Sequence, residues 1–297
     1  MRYILDFIMG TKATIAVLSG KGGTGKTLVS VNLAAVAANA TYIDCDTEEP
    51  NGHIFIKPTI VGEYVVTEPK PVVNQDLCDG CRTCVDACAF NALALTGKNL
   101  LIFDEICHSC GLCTYICPKG ALREEQRPLG IVKRGRKNGM TFLSGEMKIG
   151  ESSAVPIIKA LMREQSTDLV IIDSPPGSGC LVTETVGNAD FCLLVAEPTI
   201  FGAHNLAMAH DLVTLMGKPS AVLLNKTQEG ENPSEIYAKE HGLKIIGSLP
   251  YDEHLALLSS DGHLAVEEDE HYHTYFKELL EAITKEARHA SDSDPQR

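Results

Sequence analysis

Short, uninterrupted apolar runs alternate with longer runs of helical periodicity along most of this chain. The apolar runs occupy residues 13–18, 40–46, 168–173, 190–198, 220–226 and 243–250. Apolar residues at helical spacing occupy residues 28–40, 154–165, 202–216, 233–241 and 274–290, and a further helix is expected after Gly179. Continuously apolar strands with helices between them are typical of a parallel sheet that is covered on both faces. The pattern therefore predicts an α/β protein with a mostly parallel, doubly wound sheet.

The alternation is interrupted between residues 67 and 123, a segment rich in cysteine. We therefore predict one α/β domain in two parts, residues 1–66 and 124–290, with a smaller α+β domain of residues 67–123 inserted between them. Within the second part, residues 127–149 are predicted to form two strands joined by Asn138-Gly139, a pair favoured in type I′ hairpin turns. We expect this hairpin to be an exposed ribbon.

Eight of the 11 cysteines form two copies of one spacing, C-x2-C-x2-C-x3-C. Three thiolates two residues apart can surround one face of a [4Fe-4S] cluster, and the fourth cysteine of each copy then reaches the other cluster. The spacing predicts a first cluster on Cys78, Cys81, Cys84 and Cys117, and a second on Cys107, Cys110, Cys113 and Cys88. C-x2-C pairs also bind zinc, so two zinc sites are the alternative. Residues 70–123 resemble the bacterial two-cluster ferredoxins, which implies electron transfer, with cluster storage as the alternative.

The three remaining cysteines lie outside these copies. Cys45 and Cys192 fall within apolar strands, where a free cysteine behaves as a small hydrophobic residue. Cys180 opens a predicted helix, a position that suits a thiolate, and its role stays open between redox chemistry and helix packing.

Composition narrows the classes of function. A 297-residue chain with 44% hydrophobic residues can bury an ordinary core, and its formal charge of -13 with a pI near 5.2 disfavours nucleic acid and anionic membranes as partners. So many cysteines indicate metal binding in a reducing compartment, and we expect a cytoplasmic protein. The apolar residues 1–10 contain Asp6 and are too short for a signal peptide. Met9 is an alternative start of the chain, and residues 291–297 are a polar tail.

The stretch "LSGKGGTGKT" links the first apolar strand to the first helical run. Gly20, Gly25, Lys26 and Thr27 fill the positions of the phosphate-binding loop G-x4-G-K-[ST], so we expect ATP or ADP with Mg²⁺. Lys26 is predicted to reach the terminal phosphates, and Thr27 is predicted to ligate Mg²⁺. The predicted nucleotide contacts from this loop are Gly20, Gly22, Gly23, Thr24, Gly25, Lys26, Thr27 and Leu28.

Carboxylates follow two of the predicted strands. Asp44 and Asp46 end the second strand, and Asp173 ends the strand that leads into "DSPPG". The carboxyl ends of parallel strands form the ligand-binding edge of such a sheet. We expect Asp173 to contact Mg²⁺ through water and the Gly177 amide to sense the terminal phosphate. The alternative for Asp44 and Asp46 is helix capping or a surface turn.

Together, "GKGGTGKT", "DCD" and "DSPPG" resemble the deviant-Walker-A ATPases, a superfamily that includes MinD and ParA proteins, Mrp-type cluster carriers and the nitrogenase iron protein. The resemblance extends to members that carry an inserted ferredoxin domain. It implies a homodimer that forms on ATP binding, in which Lys21 contacts the neighbouring subunit's nucleotide. Lys26 and Asp173 are the other implied catalytic residues, together with Asp46, which positions the attacking water.

The same resemblance implies further contacts to the nucleotide and its metal. Asp44 supports the magnesium shell, Asn225 reads adenine, and Pro250 flanks the base. A single cysteine at Cys180, with no C-x2-C pair after residue 117, does not support a cluster shared across the dimer in the Mrp manner.

These features predict a slow, partner- or redox-regulated ATPase in which the nucleotide state controls electron transfer through two [4Fe-4S] clusters to a partner metalloenzyme. An iron-sulfur cluster assembly or insertion factor is one alternative. A MinD-like spatial organiser with a ferredoxin docking module is another.

Overall fold

The central feature of the computed structural model is a nine-stranded sheet. The structure describes residues 13–37, 39–165 and 167–292; the alternative start at Met9 and residues 293–297 of the predicted tail lie outside these ranges. The strands of this sheet are β1 (Ala13–Leu18), β2 (Thr41–Asp44), β3 (Thr59–Val73), β6 (Leu122–Lys137), β7 (Met140–Met147), β8 (Leu169–Asp173), β9 (Phe191–Ala196), β10 (Ser220–Thr227) and β11 (Ile245–Pro250). A separate two-stranded sheet contains β4 (Leu93–Thr96) and β5 (Asn99–Ile102).

The strand order in the large sheet is β11-β10-β9-β1-β8-β2-β7-β6-β3. The strands from β11 to β7 run parallel, and β6 and β3 are antiparallel additions at one edge. The predicted mostly parallel α/β fold is therefore confirmed.

Helices cover both faces of this sheet. They are α1 (Lys26–Val36), α2 (Gly52–Ile56), α5 (Val155–Met162), α6 (Cys180–Gly187), α7 (Ile200–Leu215), α8 (Pro233–Glu240), α9 (Glu253–Ser260), α10 (Ala265–Glu268) and α11 (Glu270–Asp292). Two short helices, α3 (Thr83–Ala87) and α4 (Leu112–Tyr115), lie in the cysteine-rich segment. In β1, Ile15 and Val17 face the core under α1 and α11, whereas Ala16 and Leu18 face the core under α5 to α8. Because both faces of the strand are buried, it is apolar at every position except Thr14. The buried cysteines Cys45 and Cys192 belong to this second core, as predicted.

The β6–β7 hairpin forms where the sequence predicts it, but it is not an exposed ribbon. Asn138 and Gly139 both have positive φ angles, 48° and 88°, as a type I′ turn requires. β7 then pairs in parallel with β2 inside the large sheet, and Phe142 and Leu143 are buried on its two faces. Burial on both faces explains why this strand belongs to the sheet rather than to the surface.

A long two-stranded ribbon connects the sheet to the cysteine-rich segment. In the β3–β6 pair, Thr59 lies opposite Arg136 at one end and Val73 lies opposite Leu122 at the other. β7 pairs with β6 only from Gly130 onwards. Residues 67–73 and 122–128 therefore continue as a pair beyond the sheet, and we call this part the stalk. Pro69 and Pro71 are tolerated in it because β3 is an edge strand. The predicted borders at residues 66/67 and 123/124 fall within these two continuous strands.

The cysteine-rich segment at the end of the stalk has its own small core. Leu93 and Leu100 of the two-stranded sheet pack with Cys84 and Leu122, and the side chain of Val73 lies against them. The segment contains α3, α4 and a single 3₁₀ turn at Asp104–Ile106. It is an α+β unit, as predicted.

Candidate functional site

The phosphate-binding loop lies between β1 and α1, with the N-terminus of α1 at Lys26. Gly23 and Gly25 have φ angles of 81° and 92°, which disfavour any residue with a side chain. A Cβ on Gly25 would lie 2.2 Å from Asn225 Nδ2, and one on Gly20 would lie 2.3 Å from the Asn205 carbonyl oxygen. Gly20 and Gly25 are thus required by close packing. The exposed backbone amides of the loop are the groups that would bind an anion.

A cleft of about 550 Å³ opens in front of this loop. From the loop it is lined by Ser19, Lys21, Gly22, Gly23, Gly25, Lys26, Thr27 and Leu28. Asp46, Asn225 and Pro250 line it from three other segments, so these distant predicted residues share one site. Asp44 and Asp173 lie behind the cleft and are fully buried.

Lys26 and Asp173 form a buried ion pair at the base of the site. The second oxygen of Asp173 accepts a 3.0 Å hydrogen bond from the Tyr42 hydroxyl, a contact that sequence reasoning missed. The only sequence signal for this contact is the presence of tyrosine, a polar aromatic residue, two positions before Asp44 in a buried strand. Burial, followed by the charges of Asp173 and Asp44, raises the pKa of Tyr42, so this hydroxyl stays protonated and donates.

Asp44 organises the loop that follows β2. Its carboxylate accepts hydrogen bonds from the backbone amides of Asp46, at 3.1 Å, and Gly52, at 2.8 Å. Burial, with the nearby charge of Asp173, raises the pKa of Asp44 to about 7. Burial also raises the pKa of Asp46, and the positive charge of Lys26 opposes that shift. Asp46 thus lines the cleft from a loop that Asp44 holds in place through these hydrogen bonds.

Two residues near the end of β10 brace the phosphate-binding loop. Asn225 Nδ2 donates to the Thr24 carbonyl at 2.7 Å, and Lys226 Nζ donates to the Gly23 carbonyl at 2.7 Å. The amide nitrogen of Asn225 is therefore engaged by the loop, which leaves its oxygen as the group that can accept from a base. Sequence reasoning missed Lys226, although it directly follows the predicted Asn225.

The Gly177 amide donates to the Ser19 carbonyl at 3.1 Å, which ties "DSPPG" to the phosphate-binding loop. For the Gly177 amide to contact a terminal phosphate as predicted, it must exchange its hydrogen bond to Ser19 for one to the phosphate. Gly177 has a φ angle of 92°, so the turn depends on glycine.

Lys21 pairs with Glu197 of the same chain, in the loop after β9. The Lys21 side chain is 39% exposed and the Glu197 side chain 13% exposed. Burial alone raises the pKa of Glu197, but the hydrogen bond and charge of Lys21 outweigh it and hold that pKa below its usual value. Sequence reasoning did not assign Glu197 a role, although it lies in the "AEPTIFG" stretch.

Two buried side-chain oxygens at this site have no hydrogen-bond partner among the described residues. They are Thr24 Oγ1 in the phosphate-binding loop and Asn51 Oδ1, whose residue lines the cleft. Buried polar groups normally find a partner, so unpartnered oxygens beside an anion-binding loop fit a polar ligand with its metal and water. Together with the carboxylates, they suit a nucleotide with Mg²⁺.

The two predicted cysteine sets each surround a cavity in the inserted segment. Cys78, Cys81, Cys84 and Cys117 line one, and Cys88, Cys107, Cys110 and Cys113 line the other. Cys84 borders both cavities, so the two lie side by side.

The fourth cysteine of each run has a matching environment. Cys88 Sγ accepts from the Ala92 amide at 3.4 Å, and Cys117 Sγ accepts from the Ala121 amide at 3.3 Å. Amide donors to sulfur favour a negatively charged thiolate and tune a bound cluster. The donor set therefore fits iron-sulfur clusters. By contrast, Cys180 is exposed at the start of α6, apart from both cavities.

Comparison with known proteins agrees with this geometry. The profile of the CobQ/CobB/MinD/ParA nucleotide binding domain matches residues 15–265, so the chain belongs to this family. It is a P-loop ATPase with a ferredoxin-like region. Among solved structures, the cell division ATPase MinD of Pyrococcus furiosus has the same fold, with a TM-score of 0.58, 17% identity and coverage of 93% of this chain and 99% of MinD.

Relatives that match in sequence include the following three. An uncharacterised protein of Methanocaldococcus jannaschii is 28% identical over 94% of this chain and 99% of its own length. An iron-sulfur cluster carrier protein of Pyrococcus abyssi is 24% identical over 81% of this chain and 75% of its own. A ferredoxin of Pyrobaculum islandicum is 37% identical over 22% of this chain and 63% of its own.

None of the helices in the described ranges is long and apolar enough to span a membrane.

Proposed function

We propose that this protein is a cytoplasmic, homodimeric ATPase whose nucleotide state controls electron transfer through two [4Fe-4S] clusters to a partner metalloenzyme. Support for the nucleotide part comes from the cleft, its braced loop and its unpartnered buried oxygens. Support for the redox part comes from the two cysteine-lined cavities and the similarity to a ferredoxin.

The arrangement of the thiols favours clusters over zinc. A zinc site draws four ligands to within about 2.3 Å of one point. The four cysteines of each predicted set instead border a cavity, and the lining of one cavity includes a fifth cysteine, Cys84. A [4Fe-4S] cluster occupies such a space and accepts or donates one electron at a time. Because Cys84 borders both cavities, clusters held there would be close enough to exchange electrons.

One connection between the two sites carries the proposal. Thr47, directly after Asp46, accepts a 2.8 Å hydrogen bond through its carbonyl from the Met147 amide at the end of β7. Five residues further along the chain, Ser152 Oγ donates to the Cys107 carbonyl at 3.4 Å. A movement of the Asp46 loop therefore acts on β7, whose continuation contacts a residue that we assign to the second cluster. Such a link lets a nucleotide-sensing loop bias the position of a redox unit.

For hydrolysis, the loop amides and Lys26 hold the phosphates, and Thr27 ligates the magnesium ion. Asp46 orients the attacking water from its place in the cleft. Asp173, held by Tyr42, supports the metal shell. Lys21 leaves Glu197 and reaches the nucleotide of the neighbouring subunit, where its charge stabilises the transferred phosphoryl group.

The test compares ATP hydrolysis by anaerobically purified protein with oxidised and with dithionite-reduced clusters, together with EPR spectra with and without ATP. We expect each site to respond to the state of the other, since coupling is reciprocal for binding. Ser152→Ala should weaken this response while ATP binding and iron content stay as in the wild type. Ser248→Ala, at an exposed position on β11 whose hydroxyl contacts that of Thr227 at 3.1 Å, is the matched control. Indifference of both sites to each other would contradict the proposal.

A second candidate is an iron-sulfur cluster carrier, favoured by the similarity to the Pyrococcus abyssi carrier protein over 81% of this chain. In that case the clusters are cargo and should pass to an apo-ferredoxin. Incubation of the loaded protein with apo-ferredoxin, followed by separation and iron analysis of both proteins, distinguishes the two. Retention of all clusters supports electron transfer, and transfer that depends on ATP supports the carrier.

A further inference from the structure

A buried lysine lies where the stalk meets the cysteine-rich segment. The side chain of Lys70 on β3 is only 2% exposed. Its ammonium donates to the Cys107 carbonyl at 2.7 Å and to the Asp104 carbonyl at 3.1 Å, and it pairs with Glu68 Oε1 at 2.6 Å. Two of its N–H groups thus donate to backbone carbonyls, and the Glu68 carboxylate balances the charge as an ion pair. Burying an ammonium is costly unless it is fully partnered, so the charge is held firmly in place.

The other cysteine set has no comparable charge in the described structure. The side chain of Gln75, three residues before Cys78, is neutral and bonds the backbone of Leu100 at 2.8 and 3.2 Å. The cations beside that cavity, Arg82 and Lys119, are each 54% exposed. Water and salt screen exposed charges strongly, whereas a buried charge acts through a low dielectric. The two sets therefore differ in their electrostatic surroundings.

The contact of Lys70 with Cys107 gives this asymmetry a chemical consequence. Reducing a [4Fe-4S] cluster adds one negative charge to it. A fixed positive charge nearby stabilises the reduced form more than the oxidised form and raises the reduction potential. Glu68 carries the opposite charge and partly offsets this effect.

We propose that Lys70 is a positioning residue that raises the reduction potential of the cluster on Cys88, Cys107, Cys110 and Cys113 above that of the other cluster. The proposal rests on the proposed binding of two clusters. Lys70 touches the backbone of one ligand and acts through its charge. An electron that enters the segment comes to rest on this second cluster, the one that Ser152 links to the ATPase body.

The test is an EPR-monitored dithionite titration of the full-length protein, purified anaerobically. Lys70→Met keeps the length of the side chain and removes its charge, and we expect one of the two potentials to become more negative while the other changes little. Glu68→Gln removes the opposing charge, and we expect the same potential to become more positive. Lys119→Met, which removes an exposed lysine beside the other cavity, is the matched control and should shift neither potential as far.

Opposite shifts of the reduction potential in the two variants distinguish an electrostatic role of Lys70 from simple anchoring. Loosening of the turn at Asp104 would shift the potential in the same direction in both variants. Shifts of the same sign, or no shift in either variant, would overturn the inference. If Lys70→Met fails to assemble its cluster, Glu68→Gln decides alone, and only a positive shift supports the inference. Iron analysis of the wild type distinguishes failure of the proposed function from failure of this inference. Absence of clusters overturns both, whereas two clusters whose potentials do not shift in the variants overturn this inference alone.

Discussion

The ammonium of Lys21 forms an ion pair with the carboxylate of Glu197 in the same subunit. The resemblance to deviant-Walker-A ATPases places this lysine on a neighbouring subunit's nucleotide. In the proposed ATP-bound dimer, Lys21 would leave Glu197 to reach that nucleotide.

Glu197→Gln should therefore dimerise at lower protein concentration and hydrolyse ATP a few-fold faster than the wild type, because Lys21 is no longer held by a charge. The measurement is light scattering with ATP together with the dependence of the ATPase rate on protein concentration. Glu229→Gln, in an exposed loop, is the control. An unchanged monomer–dimer equilibrium in Glu197→Gln would show that the pair does not restrain Lys21.

Tyr42→Phe tests the buried hydrogen bond to Asp173. Loss of the 3.0 Å contact leaves a buried carboxylate oxygen without its donor, and we expect a loss of about 1–3 kcal/mol in the free energy of unfolding. Urea denaturation without nucleotide measures this loss. Tyr115→Phe, at a side chain 90% exposed, should be neutral, and equal stability of the two variants would contradict the assigned contact.

Gly25→Ala tests the geometry of the phosphate-binding loop. The added Cβ meets Asn225 Nδ2 at 2.2 Å, and the φ angle of 92° disfavours alanine. Strain of this kind costs about 1–3 kcal/mol, so ATP affinity should fall by about 5-fold to 150-fold. Gly62→Ala on β3, outside the cleft, is the matched control, since nothing lies within 4 Å of its Cβ position. Isothermal titration with ATP and Mg²⁺ measures both, and similar affinities would count against the observed packing.

Asp44 makes stability depend on pH. Burial, followed by the charge of Asp173, raises its pKa from 3.8 to about 7, so the folded protein binds this proton more tightly than the unfolded chain does. The resulting stabilisation is complete below pH 3.8 and is lost as the pH rises through about 7. Between pH 5 and 7.5, the wild type should lose more stability than Asp44→Asn.

Urea denaturation without nucleotide or Mg²⁺ measures this difference at the two pH values. Asp261→Asn, at an exposed position, should follow the wild-type pH dependence. Parallel pH profiles for the wild type and Asp44→Asn would show that Asp44 has an ordinary pKa in the folded protein.

The sequence predicts most of the architecture because the relevant signals are local. Continuous apolar runs identify the buried strands, and the Asn138-Gly139 pair identifies a hairpin whose φ angles the structure confirms. The placement of β7 was predicted wrongly as an exposed ribbon. Its burial depends on β2, about a hundred residues earlier in the chain, and a hairpin signal carries no information about such a partner.

The chain by itself specifies the phosphate-binding loop, the two cysteine runs and the strand-end carboxylates, since each depends on the spacing of neighbouring residues. Folding adds the contacts between distant residues: Tyr42 with Asp173, which are 131 positions apart, and Lys70 with Cys107, which are 37 positions apart. Such pairs leave no periodic trace, because the sheet order and the stalk that bring them together are set by packing of the whole domain. For the same reason, only the three-dimensional arrangement reveals that Lys21 is held by Glu197.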